Sequence, residues 1–563
     1  MIKIKKYAAL ALIAALGGIS YSCEKDFDEI NTSQTVVDDP DIKFLLAYAE
    51  DRVASYQGTE WIWESLEQLF RYTQHMSASP FELSDNVNTR YSAYYNEILP
   101  NLFEIRRQIE AKPDKDRYQK AAAVTYVLQV LHGLKVTDMN GSIPYTEAVQ
   151  GRYDAMYSPK YDAQKELLDT WLVELDRAIG ALGNNSLTDQ ESYGTSDIYY
   201  QGDYTKWAKL ANTLKLRIAV RYQNQDAAKA QAIFQEVMQD ETGPIVADEE
   251  QLSYRNTNFS PFNPSDIDYR SRRFGSLSLV GFMKEAEDPR LPVYFDANDL
   301  TGSFRDSLDK YNVQLPAFID PSDPLIMYQG GPADWTTRPE IAAYMSAPLE
   351  VGPLRYNLIS TINRRFFSPR LDNASGNFVH VLVTHAETCF YIAEFIQKGY
   401  GGGIDTKGTA AEWYEQGIAS SIRTMNEIAR EAGSATAFSE DNAEAAIQAY
   451  IEGPEVKLNG ENDLERIYIQ QYINFYRLAN EAFVFVRRTG YPAYGSDYYS
   501  REPFNEPIPR RFWLIDPGEL NRENWSDALT EQGFTLGSRD LNVLSQERVW
   551  YDKPAPDFGE GGQ

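Results

Sequence analysis

The stretch YQGDYTKWAKLANTLKLRIAVR, residues 200–221, carries the pattern that decides the fold. Trp207, Leu210, Ala211, Leu214 and Ile218 recur at steps of three and four, which gathers them on one side of an α-helix. Lys206, Lys209 and Arg217 fall on the polar side. Asp203 stands where a carboxylate can accept the free amide hydrogens of a first turn, so the helix is expected to start just after it. A helix with one apolar side must lay that side on another element.

Partners for it are legible in both directions. Residues 41–56 (DIKFLLAYAEDRVASY) repeat apolar residues at Phe44, Leu45, Tyr48, Val53 and Tyr56, and residues 118–136 and 164–182 behave likewise. Breakers separate them: Asn140-Gly141-Ser142-Ile143-Pro144 and Gly183-Asn184-Asn185-Ser186. Helical periodicity returns at 381–397, 409–431, 441–451 and 463–488, with Gly490-Tyr491-Pro492 as a stop. Helix pairs at this spacing resemble tetratricopeptide units, without a strict repeat. Between about 241 and 380, Pro, Gly, Asn, Asp and aromatic residues crowd together, as in FSPFNPSDIDYRSRRFG and MYQGGPADWTTRPE. The expected fold is mostly α: a tetratricopeptide-like helical-repeat scaffold, about 41–240 and 381–490, with a large irregular loop-rich insertion, about 241–380, and a turn-rich tail, 490–563. Irregular stretches this long inside compact proteins usually carry function.

The amino terminus reads separately. Lys3, Lys5 and Lys6 precede an apolar run at 7–19 (YAALALIAALGGI) that suits a signal-peptide core and is too short to span a bilayer. Ser22 is the small residue a cleavage site needs, which makes 1–22 a lipoprotein signal peptide and leaves Cys23 at the new terminus. A thiol there can carry lipid, and stable anchoring takes more than one acyl chain, palmitate included. Ser20 departs from the Leu usual three residues before such a cysteine. The acidic run EKDFDE that follows resembles the signal sending lipoproteins of the Bacteroidetes to the outer face of the outer membrane. Residues 23–40 are then a lipidated tether and 41–563 a single domain.

Composition narrows the function. With 563 residues, 43% hydrophobic and 24% charged, the chain has ample material for a core. A net charge of -28 repels a phosphate backbone, so no nucleic-acid partner is expected. The 38 tyrosines and 9 tryptophans suit wet recognition surfaces as well as cores.

Catalytic motifs are scarce. The four histidines, His75, His132, His380 and His385, form no HExxH and no Cys/His cluster, and read as structural. No G-x-S-x-G elbow occurs, and GYGGGID at 399–405 lacks the Lys-Ser/Thr of a phosphate-binding loop. Cys389 lies in the apolar helical run HAETCFYIAEF, where a free cysteine behaves as a small hydrophobe. The expectation is no enzyme; a surface glycosidase or peptidase stays open because two acids at the right separation suffice for glycoside hydrolysis.

Several runs then converge on one family. YQKAAAVTYVLQVLHGLKVTDMNGSIPYTEA (118–148), SPKYDAQKELLDTWLVELDRAI (158–179), the opening stretch, DPRLPVYF (288–295), WYEQGIASSI (413–422), FVFVRRTGYP (483–492) and EPIPRRFWLIDPGELNRENW (506–525) resemble, in order, the SusD/RagB-like nutrient-binding outer-membrane lipoproteins. Ser142 replaces the family's acidic residue at the turn and Thr213 its Ser. The resemblance implies a lipid-anchored, cell-surface protein that captures oligosaccharide or oligopeptide and sits as a lid on a SusC-like TonB-dependent outer-membrane transporter. Its helices would contact the transporter and its loops the ligand. No cofactor is implied, and a structural calcium ion is left open.

Sugar rings stack their C–H faces on aromatics, whereas peptides use backbone hydrogen bonds and side-chain pockets. The aromatic-rich candidates are Trp61 and Trp63 with Tyr72; Tyr91, Tyr94 and Tyr95 in NTRYSAYYNE; Tyr269 with Arg270; and Tyr328 with Trp335, flanked by Gly330, Gly331 and Pro332. No family site motif transfers to these positions. The mature chain is expected to carry acyl groups on Cys23, which mass spectrometry of the native protein checks; a chain secreted without them would overturn the anchor.

Overall fold

The computed structural model describes residues 40–54, 59–79, 82–257, 273–368 and 376–561. Cys23 and the signal, and likewise Tyr269 and Arg270, lie outside the described residues. The opening stretch is a helix over Tyr204–Tyr222. Asp203 caps it, its Oδ1 accepting Thr205 N at 2.9 Å and Lys206 N at 3.3 Å. Just upstream, the Asp197 carboxylate accepts the amides of Tyr199, Tyr200 and Gly202 and the Trp207 indole N–H at 2.7–3.0 Å. The turn and the first buried ring of the helix are thereby fixed to each other.

This helix is the fifth of an array. Helices α1 (Ile42–Val53), α2 (Leu99–Ala111), α3 (Gln119–Asn140), α4 (Gln164–Leu182), α5 (Tyr204–Tyr222) and α6 (Ala227–Gln239) pack each against the next, α1 and α2 being joined by a long connection through residues 54–98. After the insertion, α7 (His385–Gln397) joins α5 and α6, and α8 (Ala410–Glu431) and α9 (Glu440–Glu452) continue the series. Helix α10 (Asp463–Asn474) packs on α7, followed by α11 (Ala479–Thr489). This is the tetratricopeptide-like, mostly α architecture. Helix α11 ends at Gly490, whose φ of +69° and close neighbours admit no side chain: a Cβ there would lie 2.9 Å from Gly561 N and 3.0 Å from Asp557 O.

Three local readings change in the folded chain. Residues 381–383 belong to a strand, not to helix α7; Thr384 caps that helix by accepting Glu387 N at 2.9 Å, and the alternating valines before it pair as a strand. The helix expected over 463–488 is broken at Phe475–Arg477, where Arg477 turns aside to donate to Val379 O at 3.0 Å. Arg217, on the polar side of α5 by pattern, is buried.

The strands are short and join distant segments. β1 (Met76–Ala78) pairs antiparallel with β3 (Arg273–Gly275), β2 (Leu252–Asn256) with β6 (Phe378–Val383), and β4 (Leu349–Val351) with β5 (Leu354–Tyr356). The insertion, loop-rich by pattern, also holds short helices at Leu277–Glu285, Phe304–Tyr311 and Pro339–Ser346 and packs a small core of its own around Phe274, Leu308, Ile341, Met345 and Leu358. It is tied to the scaffold by a buried pair. Asp288 accepts from the Arg290 guanidinium at 2.7–2.9 Å, and Arg290 also meets Gln470 Oε1 at 2.8 Å.

Polar groups bind the scaffold layers together. Arg217 meets Glu387 on α7 at 2.6 and 2.7 Å, and Arg221 meets Asp138 on α3 at 2.9 and 2.6 Å and Glu481 on α11 at 3.0 Å. Burial alone would lift the Glu481 carboxyl, but Arg217 and Arg221 hold it below its usual range. Breaking such a cluster from one side strands charge in the core, at a cost of about 3–5 kcal/mol. Arg221→Met, which leaves Asp138 and Glu481 buried, is expected to lower the unfolding free energy by about that amount, read as a lower urea midpoint.

His75 gives a second test. Its Nε2–H donates to Tyr472 O and its Nδ1 accepts from the Thr73 hydroxyl, both at 2.7 Å, and burial pushes its pKa down to about 3. The unfolded chain takes up this proton near pH 6.5, whereas the folded chain refuses it until about 3. The contribution is therefore present above pH 6.5 and is lost as pH falls toward 3. In His75→Gln, the acid-side slope of stability against pH should be shallower by about 1.4 kcal/mol per pH unit between pH 6 and 4; denaturation series at several pH values check it.

Candidate functional site

The insertion meets the scaffold around β3. On one edge of β3, Phe274 pairs with Ser77 of β1; on the other, it bridges to Thr361. Trp335 lies against this junction, half-buried, with its ring edge-on to Phe274 at 6.5 Å and its indole N–H donating to Ser77 Oγ at 3.1 Å. The loop carrying it is held on both sides. Gly331 N donates to Gly275 O at 2.9 Å, and Gly330 lies so close to the chain that a Cβ would meet Ser276 O and Leu277 Cα at 2.5 Å. Beyond the tryptophan, Asp334 accepts Thr336 N at 2.9 Å and Asn505 N at 2.7 Å. Three remote segments thus position one indole.

Phe274 also lines a cavity of 470 Å³ in the insertion, together with Asp296, Asn298, Asp299, Tyr344 and Asn357. Asn298 is structural: it donates to Ile326 O and Leu358 O and accepts Leu300 N. Asp299 accepts Asn357 N and Nδ2 at 2.7 and 2.8 Å. Asp296 accepts from the backbone and side chain of Arg364; burial raises its pKa, which Arg364 only partly offsets. Tyr328 stands near it, its hydroxyl pushed up by burial and by the Asp296 charge. A ring face beside acceptors and a guanidinium can hold a hydroxylated ligand through stacking and hydrogen bonds.

The other sequence candidates sit elsewhere. Tyr72 is 2% and Tyr94 0% exposed, so both are core side chains. Tyr72 packs on Phe483 and Phe504. Tyr91, Tyr94 and Tyr95 cluster in the scaffold, with Tyr95 4.6 Å from Tyr91 and 5.2 Å from Tyr94, and their hydroxyls serve the fold: Tyr94 donates to Gln129 O and Tyr95 to Pro144 O. Trp61 and Trp63 fall in a π-helical stretch, Thr59–Leu69, and their side chains lie outside the described residues, as do Tyr269 and Arg270. Sequence reasoning missed Ser77, Phe274, Asp296 and Asn505. Only Phe274 carried a signal, standing within the aromatic-rich run before Gly275.

Cys389 is buried and free, with its thiol raised by burial. Among the described residues, no group of three or more His, Cys, Asp or Glu side chains is placed to hold a metal ion, and no helix is long and apolar enough to cross a membrane.

A tetratricopeptide-like scaffold that presents an irregular insertion with an aromatic edge and a polar cavity defines the class: a helical-repeat protein with a large irregular insertion. The chain belongs to the SusD-like family, whose profile, described as "Starch-binding associating with outer membrane", matches residues 34–514. Solved structures agree in fold. A chitin-binding protein is 22% identical, with 91% of this chain and 99% of that one aligned at a TM-score of 0.67. A chitin-binding SusD homologue from Flavobacterium johnsoniae is 20% identical over 92% and 100% of the two chains, TM-score 0.63. A SusD homologue from Bacteroides fragilis is 22% identical over 91% and 99%, TM-score 0.64. No curated protein matches the chain.

Proposed function

We propose that this protein is a non-enzymatic, cell-surface lipoprotein that captures oligosaccharide and delivers it, as a lid, to a SusC-like TonB-dependent transporter of the outer membrane. Family membership supports the outer-membrane setting, and the family's description points to glycan. The observation that carries the ligand site is Trp335, half-buried, oriented by Ser77 and edge-on to Phe274, whose ring lines a cavity with Asp296 and Arg364. The indole would stack on a sugar ring while the cavity groups read hydroxyls. Tyr328 would border the same site. The scaffold helices are the proposed contact to the transporter, and acylated Cys23 the anchor.

Oligopeptide is the second reading. The hairpin β4–β5 stands as a two-stranded sheet with Leu354 exposed, an edge to which an extended peptide could add.

Calorimetry of the chain from residue 24 onward against plant, host and microbial oligosaccharides and peptide digests tests both. Sugar binding with Trp335→Ala weaker by about tenfold or more, helical circular dichroism unchanged, is the expected result. Unchanged affinity would remove Trp335 from the site; binding confined to peptides would establish the second reading.

A further inference from the structure

A second concavity, of 750 Å³, opens in the scaffold between α2, α3 and α4, far from the insertion in the chain. A further wall is the turn that follows α3, within the SIPYTEA run at 142–148. That turn is rigidly built. Ile143 and Asp162 exchange backbone hydrogen bonds, and the Asp162 carboxylate accepts Tyr145 N, Thr146 N and the Thr146 hydroxyl at 2.8–3.0 Å. Val149, at the rim, holds a φ of +57°, a conformation that a β-branched residue adopts only when its surroundings impose it.

The floor is polar and incompletely used. Gln129 is 2% exposed, and its Nε2 donates to the Tyr145 hydroxyl and to Glu174 Oε2, yet its Oε1 has no hydrogen-bond partner. Glu174 accepts the Tyr145 hydroxyl beside it, and burial raises its carboxyl above the usual range. Across the cavity, Arg106 lies over the Tyr126 ring at 4.6 Å. Leu99, Phe103 and Val149 supply apolar wall.

The charges select the occupant. A cation would face Arg106 and Arg107, and an anion would face Glu174 and Glu110. A neutral ligand with hydroxyl groups satisfies both sides: an O–H donates to Glu174, and ring or hydroxyl oxygens accept from Arg106. Its C–H face would meet Phe103 and Leu99.

We infer that this scaffold cavity is a second binding site, for one or two neutral sugar rings, separate from the Trp335 site and not dependent on it. The volume falls in the range of small-molecule pockets.

Hydrogen exchange of the purified full chain locates the ligand directly. With millimolar maltose, cellobiose or N,N'-diacetylchitobiose as probes, at least one is expected to slow exchange in residues 99–111 and 144–150, whereas glucosamine and glucuronate should not. Arg106→Leu is expected to weaken this protection by about tenfold or more, the loss of one charge-assisted hydrogen bond to the ligand. Should that variant fail to fold, Ala111→Trp, at the exposed rim, is expected to close the mouth and remove the protection. Trp335→Ala should leave scaffold protection intact, so that failure at one site is distinguishable from failure at the other. Absence of protection with every neutral probe, equal protection by the charged sugars, or protection that persists in Ala111→Trp would overturn the inference.

Discussion

Arg217 and Arg221 cannot leave the carboxylates with which they are buried, and the scaffold is arranged around that constraint. Both stand on α5, one turn apart, and together they reach Asp138 on α3, Glu387 on α7 and Glu481 on α11. Amphipathic helices of similar length can pack against one another in several registers at little difference in apolar area. A buried guanidinium distinguishes among them, because any register that leaves it unpaired strands a charge in a low-dielectric core. Arg487 reinforces the same point, donating to the carbonyls of Asp138 and Arg510 at 2.9 and 2.8 Å and so drawing the tail onto the array. Arg488 does the same on the far side of α11, with Glu394 at 2.6 and 2.7 Å.

With the array fixed, the insertion has a defined seat. Asp288 and Arg290 reach Tyr450 and Gln470, β1 pairs with β3, and β2 with β6. The consequence is a candidate site made from remote pieces: Ser77 from the connection between α1 and α2, Phe274 and Trp335 within the insertion, and Asn505 from the tail. The insertion's own core fixes its loops internally, so that an irregular segment can still hold a ring and a carboxylate in constant relation.

Two concavities of different origin result. One belongs to the insertion and draws its groups from loops. The other belongs to the helical scaffold and is walled by a turn whose backbone Asp162 ties down. Both combine an apolar wall with a carboxylate and a guanidinium, the mixture that suits neutral polar ligands better than charged ones.

Helix positions were readable from sequence because the signal is local: periodicity of three and four, Asp203 as a cap and Gly490 as a stop all act within a few residues. The family, too, was legible, since its motifs are long and ordered. The break at Phe475–Arg477 was not, because it depends on carbonyls of Val379 and on aromatic rings of Phe366 and Phe378, which are distant in sequence. Nor was the burial of Arg217: a basic residue on a helix's less apolar side looks solvated until a second layer covers it. The aromatics divided on the same ground. Tyr72 and Tyr94 are chemically as able to stack as Trp335, but whether a ring faces solvent is a property of what packs over it. The chain's residues by themselves determined which segments are helices, where they stop and which family they serve; tertiary packing alone decided which charges are buried, which rings remain accessible and which side chains meet around a cavity, because those depend on contacts across hundreds of residues that no local pattern records.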